Sequence, residues 1–175
     1  MKPTSASETL TGPTLRPLHP KLKGVDPATL AAAPKWILIV DDEPDILDSV
    51  AALVRLIGNT TSMNVRVARS GPEALQIMEA HFFDMILSDF HLGSMDGVNF
   101  IEVAQQLEPG VPCVLMSGDK YGALERLESA VTSNVAFLAK PFEPASLASH
   151  MMDGLGWAST PWARPADVPN AFSDA

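Results

Sequence analysis

The chain predicts an α/β fold, a doubly wound five-stranded parallel sheet with helices on both faces. Three observations predict it. Short apolar runs alternate with stretches whose apolar residues recur at helical spacing, five times over within residues 36–153. The runs are apolar at consecutive positions rather than at every second one, as strands covered on both faces require. Each run also stops at a polar or turn residue, so polar side chains collect just beyond the strand ends.

The first strand is Trp36-Ile37-Leu38-Ile39-Val40. Pro44 suits a first helical position, and Ile46, Leu47, Val50, Val54 and Ile57 follow at helical spacing. Residues 64–68 alternate weakly and read as a second strand, after a slightly long connection over Gly58–Met63. Ser70 with Glu73 three residues later forms a capping-box pattern, opening a helix that turns Leu75 and Met78 inward. The third strand spans Asp84–Ser88, and Gly97 precedes a helix burying Val98, Ile101 and Leu107. The fourth strand is Val111–Met116, followed by a helix carrying Leu124, Leu127 and Val131. Residues Val135–Ala139 form the fifth strand, and Pro144 starts a last helix with Leu147 and Met151 inward. Right-handed crossovers place the helices on both faces of the sheet.

Outside this span the composition changes. Residues 1–34 are crowded with Pro, Thr, Ser, Gly and Ala, and six prolines from Pro3 to Pro34 break regular structure. This reads as a flexible arm with at most one helical turn near residues 28–33. The periodic pattern occupies 35–153, and 154–175 is a tail with Pro161, Pro165 and Pro169. Trp157, Trp162 and Phe172 in that tail leave two options, docking on its own domain or on a partner. The net charge of −9 is uneven. Residues 1–35 hold five Lys/Arg against two acids, whereas 36–153 hold six against seventeen, a net −11. A domain this acidic repels a nucleic-acid backbone, so direct nucleic-acid binding is disfavoured. The basic arm is either a solvated linker or a contact for an acidic partner. The single cysteine, Cys113, excludes an intrachain disulfide and reads as a buried thiol. His19, His81, His91 and His150 lack metal-ligand spacing. No apolar stretch approaches the roughly 18 residues of a membrane span, and no signal-peptide core stands at the N-terminus. A soluble cytoplasmic protein with no membrane contact is the expectation.

Chemistry-bearing residues stand where these runs end: Asp41-Asp42 after the first, Asp89 after the third, Ser117 after the fourth and Lys140 after the fifth. In open parallel sheets ligands bind outside the carboxyl ends of the strands. Three carboxylates, a hydroxyl and an amine would therefore meet at one edge, the outline of a metal and phosphate site. An isolated Asp-Asp pair would read as a helix cap, and a lone lysine as a surface charge. All five positions filled in order point to the site instead.

These residues resemble the receiver domain of two-component response regulators over residues 36 to about 153. The resemblance rests on Asp41-Asp42-Glu43-Pro44, Leu87-Ser88-Asp89, Met95-Asp96-Gly97, Met116-Ser117-Gly118 and Lys140-Pro141-Phe142. It implies the strand order 2-1-3-4-5. It also implies that Asp89 accepts a phosphoryl group from a phosphohistidine, with Mg²⁺ held by Asp42, Asp89 and the backbone carbonyl of His91, and by Asp41 through water. Lys140 would place its ammonium on the phosphoryl oxygens. Ser117 would move toward the phosphoryl group and Phe137 would fill the vacated space, although a phenylalanine on a buried strand also reads as plain core. Phe137 lacks a tyrosine hydroxyl, so the switch is expected to be less sharply two-state. Departures from the family pattern are Gly93, where proline is common and where glycine should loosen the loop, and His91 and Asp119, which flank the phosphoryl site.

The partners implied are a sensor histidine kinase or a phosphotransfer protein, and a downstream protein. The latter would meet the helix after Ser117, the fifth strand and the last helix, and the same surface leaves a homodimer open. The favoured reading is a phospho-acceptor without a DNA-binding output domain, catalysing only its own phosphorylation and dephosphorylation. The alternative is a relay intermediate, or a scaffold whose output lies in its tails. A phosphatase of the haloacid-dehalogenase kind would need an aspartate two residues beyond its nucleophile on the first loop; Glu43 and Pro44 stand at those places.

Overall fold

The computed structural model describes residues 34–58 and 63–156. The expectations for residues 1–33, for the connection at 59–62 and for Trp157, Trp162 and Phe172 lie outside the described residues. The elements run β1 (Lys35–Val40), α1 (Pro44–Ile57), β2 (Met63–Ala68), α2 (Gly71–Ala80), β3 (Met85–Asp89), β4 (His91–Leu92) and β5 (Met95–Asp96). They continue with α3 (Gly97–Leu107), β6 (Cys113–Ser117), α4 (Lys120–Glu128), β7 (Val135–Ala139) and α5 (Pro144–Gly154). The main sheet has the order β2-β1-β3-β6-β7 with every pairing parallel, which is the order 2-1-3-4-5 when its five strands are numbered by themselves.

Alternation along each strand divides the core in two. Leu38, Val40, Ile86, Cys113 and Leu115 face α2, α3 and α4, where Met78, Phe100, Ile101 and Ala123 meet them. Ile37, Ile39, Leu87, Val114 and Met116 face α1 and α5, where Val50, Val54, Leu147 and Met151 meet them. Inner strands β3 and β6 are buried throughout. β7 is different: Val135, Ala136 and Phe137 are only half-buried, because β7 is an edge strand with a neighbour on one side alone.

Helix starts follow the local chemistry. Ser70 Oγ accepts from Glu73 N at 3.3 Å, and the Glu73 carboxylate accepts from Arg69 N at 2.8 Å, one residue short of the usual reciprocal partner. Asp96 caps α3 by accepting from Asn99 N at 2.7 Å, and Asp119 caps α4 by accepting from Gly122 N at 3.0 Å. Pro44 and Pro144 occupy first-turn positions whose missing N–H costs nothing.

Several expectations change. Leu107 is 43% exposed, not inward. The inward direction at the end of α3 is taken by Glu108, a buried carboxylate that accepts from Phe83 N at 3.2 and 3.3 Å. Val131 is 92% exposed because α4 ends at Glu128 and the chain there is already a loop. In α2 the buried positions are Ala74 and Met78, with Leu75 half-buried beside them. β3 and β6 each end one residue later than their apolar runs, because the ladder continues: Phe90 N donates to Met116 O and Lys140 N to Ser117 O. Asp89 and Ser117 are therefore the last residues of rigid strands rather than the first of loops. The small β4–β5 hairpin was not expected. Gly93 turns it with φ +70, a left-handed conformation that glycine adopts freely.

The contrast within α3 is measurable. Ile101→Ala should lower unfolding free energy by about 2–5 kcal/mol, and Leu107→Ala by no more than about 1 kcal/mol, in urea titrations. Equal losses would mean that α3 presents a different face.

Candidate functional site

The carboxyl ends of β1, β3, β6 and β7 lie side by side, and each supplies one residue. Val40 pairs with Ser88, Asp89 with Met116, and Ser117 with Ala139, so Asp41, Asp89, Ser117 and Lys140 follow one another along a single sheet edge. Asp41 continues the β1–β2 ladder through its N–H to Ala68 O at 3.2 Å. Lys140 leaves the sheet through its own N–H to Ser117 O at 2.8 Å. Both residues thus start from fixed backbone. The peptide bond from Lys140 to Pro141 is cis.

Lys140 reaches back past β6 to join two strands. Its Nζ lies 2.8 Å from Asp41 Oδ2 and 2.6 Å from Asp89 Oδ1. The remaining oxygens are also used: Glu43 N donates to Asp41 Oδ1 at 3.0 Å, and His91 N donates to Asp89 Oδ2 at 2.6 Å. Asp41 is buried at a side-chain exposure of 1%, Asp89 keeps 10%, and Lys140 keeps 20%. The ammonium is therefore the charge that makes two neighbouring buried carboxylates tolerable. Burial pulls the Lys140 pKa down, but hydrogen bonds to Asp41 and Asp89 and the charges of both outweigh it, leaving the pKa above its ordinary 10.5. This arrangement overturns the reading of Lys140 as a surface charge. Asp41 does favour the start of α1 by holding Glu43 N, although the N-cap residue itself is Glu43.

The remaining predicted residues divide. Asp42 is exposed, facing the β4–β5 turn: a Cβ placed on Gly93 would stand 3.8 Å from Asp42 Oδ2. His91 exposes its ring, which meets Phe90 edge-on at 4.8 Å, while its backbone belongs to β4. Ser117 is buried and its hydroxyl is engaged locally, accepting from Asp119 N at 2.9 Å and donating to Asp119 O at 3.2 Å. Phe137 is half-buried on β7, paired with Leu115 and packed on the α3 side of the core. Missed by sequence reasoning was the closeness of Gly97 to the acceptor strand. A Cβ there would stand 2.1 Å from the Asp89 carbonyl oxygen, so only glycine lets α3 begin where it does. The quoted Met95-Asp96-Gly97 run held that signal, but close approach between segments is not visible in a linear pattern.

Among the described residues no three Asp, Glu, His or Cys side chains form a ready-made ion cage. The acid oxygens present are those of buried Asp41 and Asp89, which meet on Lys140, and of exposed Asp42, which faces the Gly93 turn; the three do not close on one point. A small hard cation that takes one or two carboxylates and keeps several waters fits such a half-open set.

Removing the ammonium should expose the cost of the pair. Lys140→Met is expected to lose about 3 kcal/mol or more at neutral pH, the usual result of leaving a buried charge unpaired. Without Lys140 the two carboxylates are left with no cation between them. In the native chain the Lys140 contribution is fully present below pH 10.5 and is lost as pH rises through its raised value. Thermal melts across pH check both statements; a variant whose melting temperature parallels the native protein at every pH would remove this account.

Comparison with known proteins follows the same frame. Residues 37–152 match the model of the response regulator receiver domain. The transcriptional regulatory protein GlrR of Escherichia coli is 28% identical over 123 residues, covering 70% of this chain and 26% of that protein. The chain thus spans about a quarter of the length of that curated relative. A CheY-like receiver domain protein from Methanospirillum hungatei superposes with a TM-score of 0.61 at 29% identity, covering 71% of this chain and 95% of the other. The receiver domain of a sensor histidine kinase from Pseudomonas aeruginosa, solved with a magnesium ion coordinated in its active-site cleft, gives a TM-score of 0.61 at 28% identity. It covers 71% of this chain and 99% of the other. The chain belongs to the family of response regulator receiver domains.

Proposed function

We propose that this domain accepts a phosphoryl group on Asp89 from a phosphohistidine of a sensor kinase or phosphotransfer protein, and passes the signal on through protein contacts. The observation that carries the proposal is the Lys140 ammonium seated on both Asp41 and Asp89, with Asp89 held at the end of a buried strand. In the transfer a carboxylate oxygen of Asp89 attacks phosphorus, the phosphorus–nitrogen bond of the donor breaks, and the imidazole leaves with that electron pair. Lys140 is placed to offset the negative charge on the transferring oxygens, and the His91 N–H fixes the orientation of the Asp89 carboxylate.

Asp42, Asp89 and the His91 carbonyl would hold Mg²⁺ directly, with Asp41 acting through water. Bound there, the ion neutralises charge on the carboxylates and on the phosphoryl oxygens. The support is the pair of carboxylates at one sheet edge and the magnesium ion in the Pseudomonas aeruginosa relative. The Ser117 hydroxyl, held by its own turn, is the candidate reporter of the modification, with half-buried Phe137 as its partner.

Signalling by protein contact is supported by the net −11 of residues 36–153, which opposes a nucleic-acid backbone. Chemistry limited to the domain's own phosphorylation and hydrolysis belongs to the same proposal, as does a cytoplasmic setting.

Mass spectrometry after incubation with acetyl phosphate and Mg²⁺ tests it. One phosphoryl group is expected on the native chain, and none on Asp89→Asn or when the metal is chelated. Modification that survives the substitution or the chelator would sink the mechanism.

A further inference from the structure

Helix α4 is attached to the domain differently from the other helices. α1 buries five side chains, Leu47, Val50, Ala51, Val54 and Ile57, whereas α4 fully buries only Ala123. Leu124 and Leu127 are half-buried, Tyr121 is 86% exposed, and Val131 just beyond the helix is 92% exposed. Hydrophobic anchoring scales with apolar area removed from water, so α4 is held weakly by this means.

What holds it is polar. Asp96, the N-cap of α3, and Asn99, Glu102 and Gln105 recur at every third position, so each is the neighbour of the next along the helix surface. Arg126 of α4 meets the first three: Nε lies 3.4 Å from Asp96 Oδ2, one guanidinium nitrogen lies 3.7 Å from Glu102 Oε2, and the same nitrogen donates to Asn99 Oδ1. Asn99 in turn donates to Asp96 Oδ2 at 3.0 Å. Further along, Val131 N donates to Glu102 Oε1 at 2.9 Å and Ser133 N to Gln105 Oε1 at 3.0 Å, while the Gln105 amide donates to Ser133 O. The stripe thus fastens both α4 and the loop that leads to β7.

The start of α4 and its anchor on α3 each tie to the end of an inner strand. Its start, Asp119, exchanges hydrogen bonds with Ser117 Oγ. Its anchor, Asp96, precedes Gly97, whose N–H donates to Phe90 O at 2.7 Å directly after Asp89.

We propose that Arg126 and the α3 stripe form a polar latch, so that residues 120–134 open as a separate unit and the latch sets how often they do. The latch stands on these contacts alone; that Asp89 modification acts on it through Asp96–Gly97 rests on the phospho-acceptor reading. Local opening of this kind is read by amide hydrogen exchange.

The test is exchange on the full 175-residue chain, native and Arg126→Met, with Glu102→Gln as a gentler variant that keeps an acceptor for Val131 N. Arg126→Met should speed exchange in 120–134 by about tenfold or more, as loss of charge-assisted hydrogen bonds implies, while α1 and α5 keep their protection. Raising salt from about 0.05 M to about 0.5 M should speed the same segment in the native chain and have little effect in Arg126→Met, since pairs this exposed are screened. Unchanged exchange in 120–134, or equal acceleration in every helix, overturns the latch. For the trigger, acetyl phosphate with Mg²⁺ should alter exchange in 120–134 of the native chain and do so less in Arg126→Met. A phosphoryl group seen by mass with no change there overturns the coupling, whereas an absent phosphoryl group speaks against the acceptor reading and leaves the salt and variant results to decide the latch.

Discussion

One ammonium holds together what the sheet brings near. Asp41 and Asp89 come from neighbouring strands and point into a region from which water is largely excluded, and two such carboxylates repel each other strongly. Lys140 Nζ sits 2.8 and 2.6 Å from them, and backbone N–H groups of Glu43 and His91 take the other two oxygens. No buried side-chain nitrogen or oxygen among the described residues is left without a hydrogen-bond partner. The rest of the architecture serves this: β7 must stand at the far edge so that Lys140, just past its last residue, can reach across Ser117, and β1 must pair β3 so that the acids are adjacent.

The same centre explains why the surroundings are shaped as they are. Asp89 ends a strand buried along its whole length, and its carboxylate is held by Lys140 Nζ and the His91 N–H. Gly97 lets α3 begin against the Asp89 carbonyl, and Gly93 makes the tight turn that faces Asp42 across the mouth of the site. An anionic group arriving at Asp89 would meet the fixed positive charge of Lys140.

Helix attachment is unequal around the sheet. α1 and α5 lay continuous apolar faces on one side, and α3 does so on the other, whereas α4 relies on Arg126 and the acidic and amide groups of α3. Apolar contacts are indifferent to the charge state of a nearby site; ion pairs and hydrogen bonds are not. If Asp89 takes up a new charge as proposed, a helix on polar fastenings is the one placed to respond to it.

The sequence by itself determined the five-stranded parallel sheet, because consecutive apolar residues and helix-spaced ones are local signals that burial on two faces demands. It also determined that Asp41, Asp89, Ser117 and Lys140 share one sheet edge, since each follows such a run and parallel strands bring their carboxyl ends together. Only the tertiary structure decided which groups touch. That Lys140 bridges Asp41 and Asp89, that Asp42 stays exposed, that Glu108 rather than Leu107 turns inward, and that Arg126 fastens α4 depend on contacts between residues far apart in the chain. Such contacts are set by strand register and helix ends, which shift by a residue without altering the apolar pattern. Composition and spacing carry periodicity; they do not carry the distances across which charges pair.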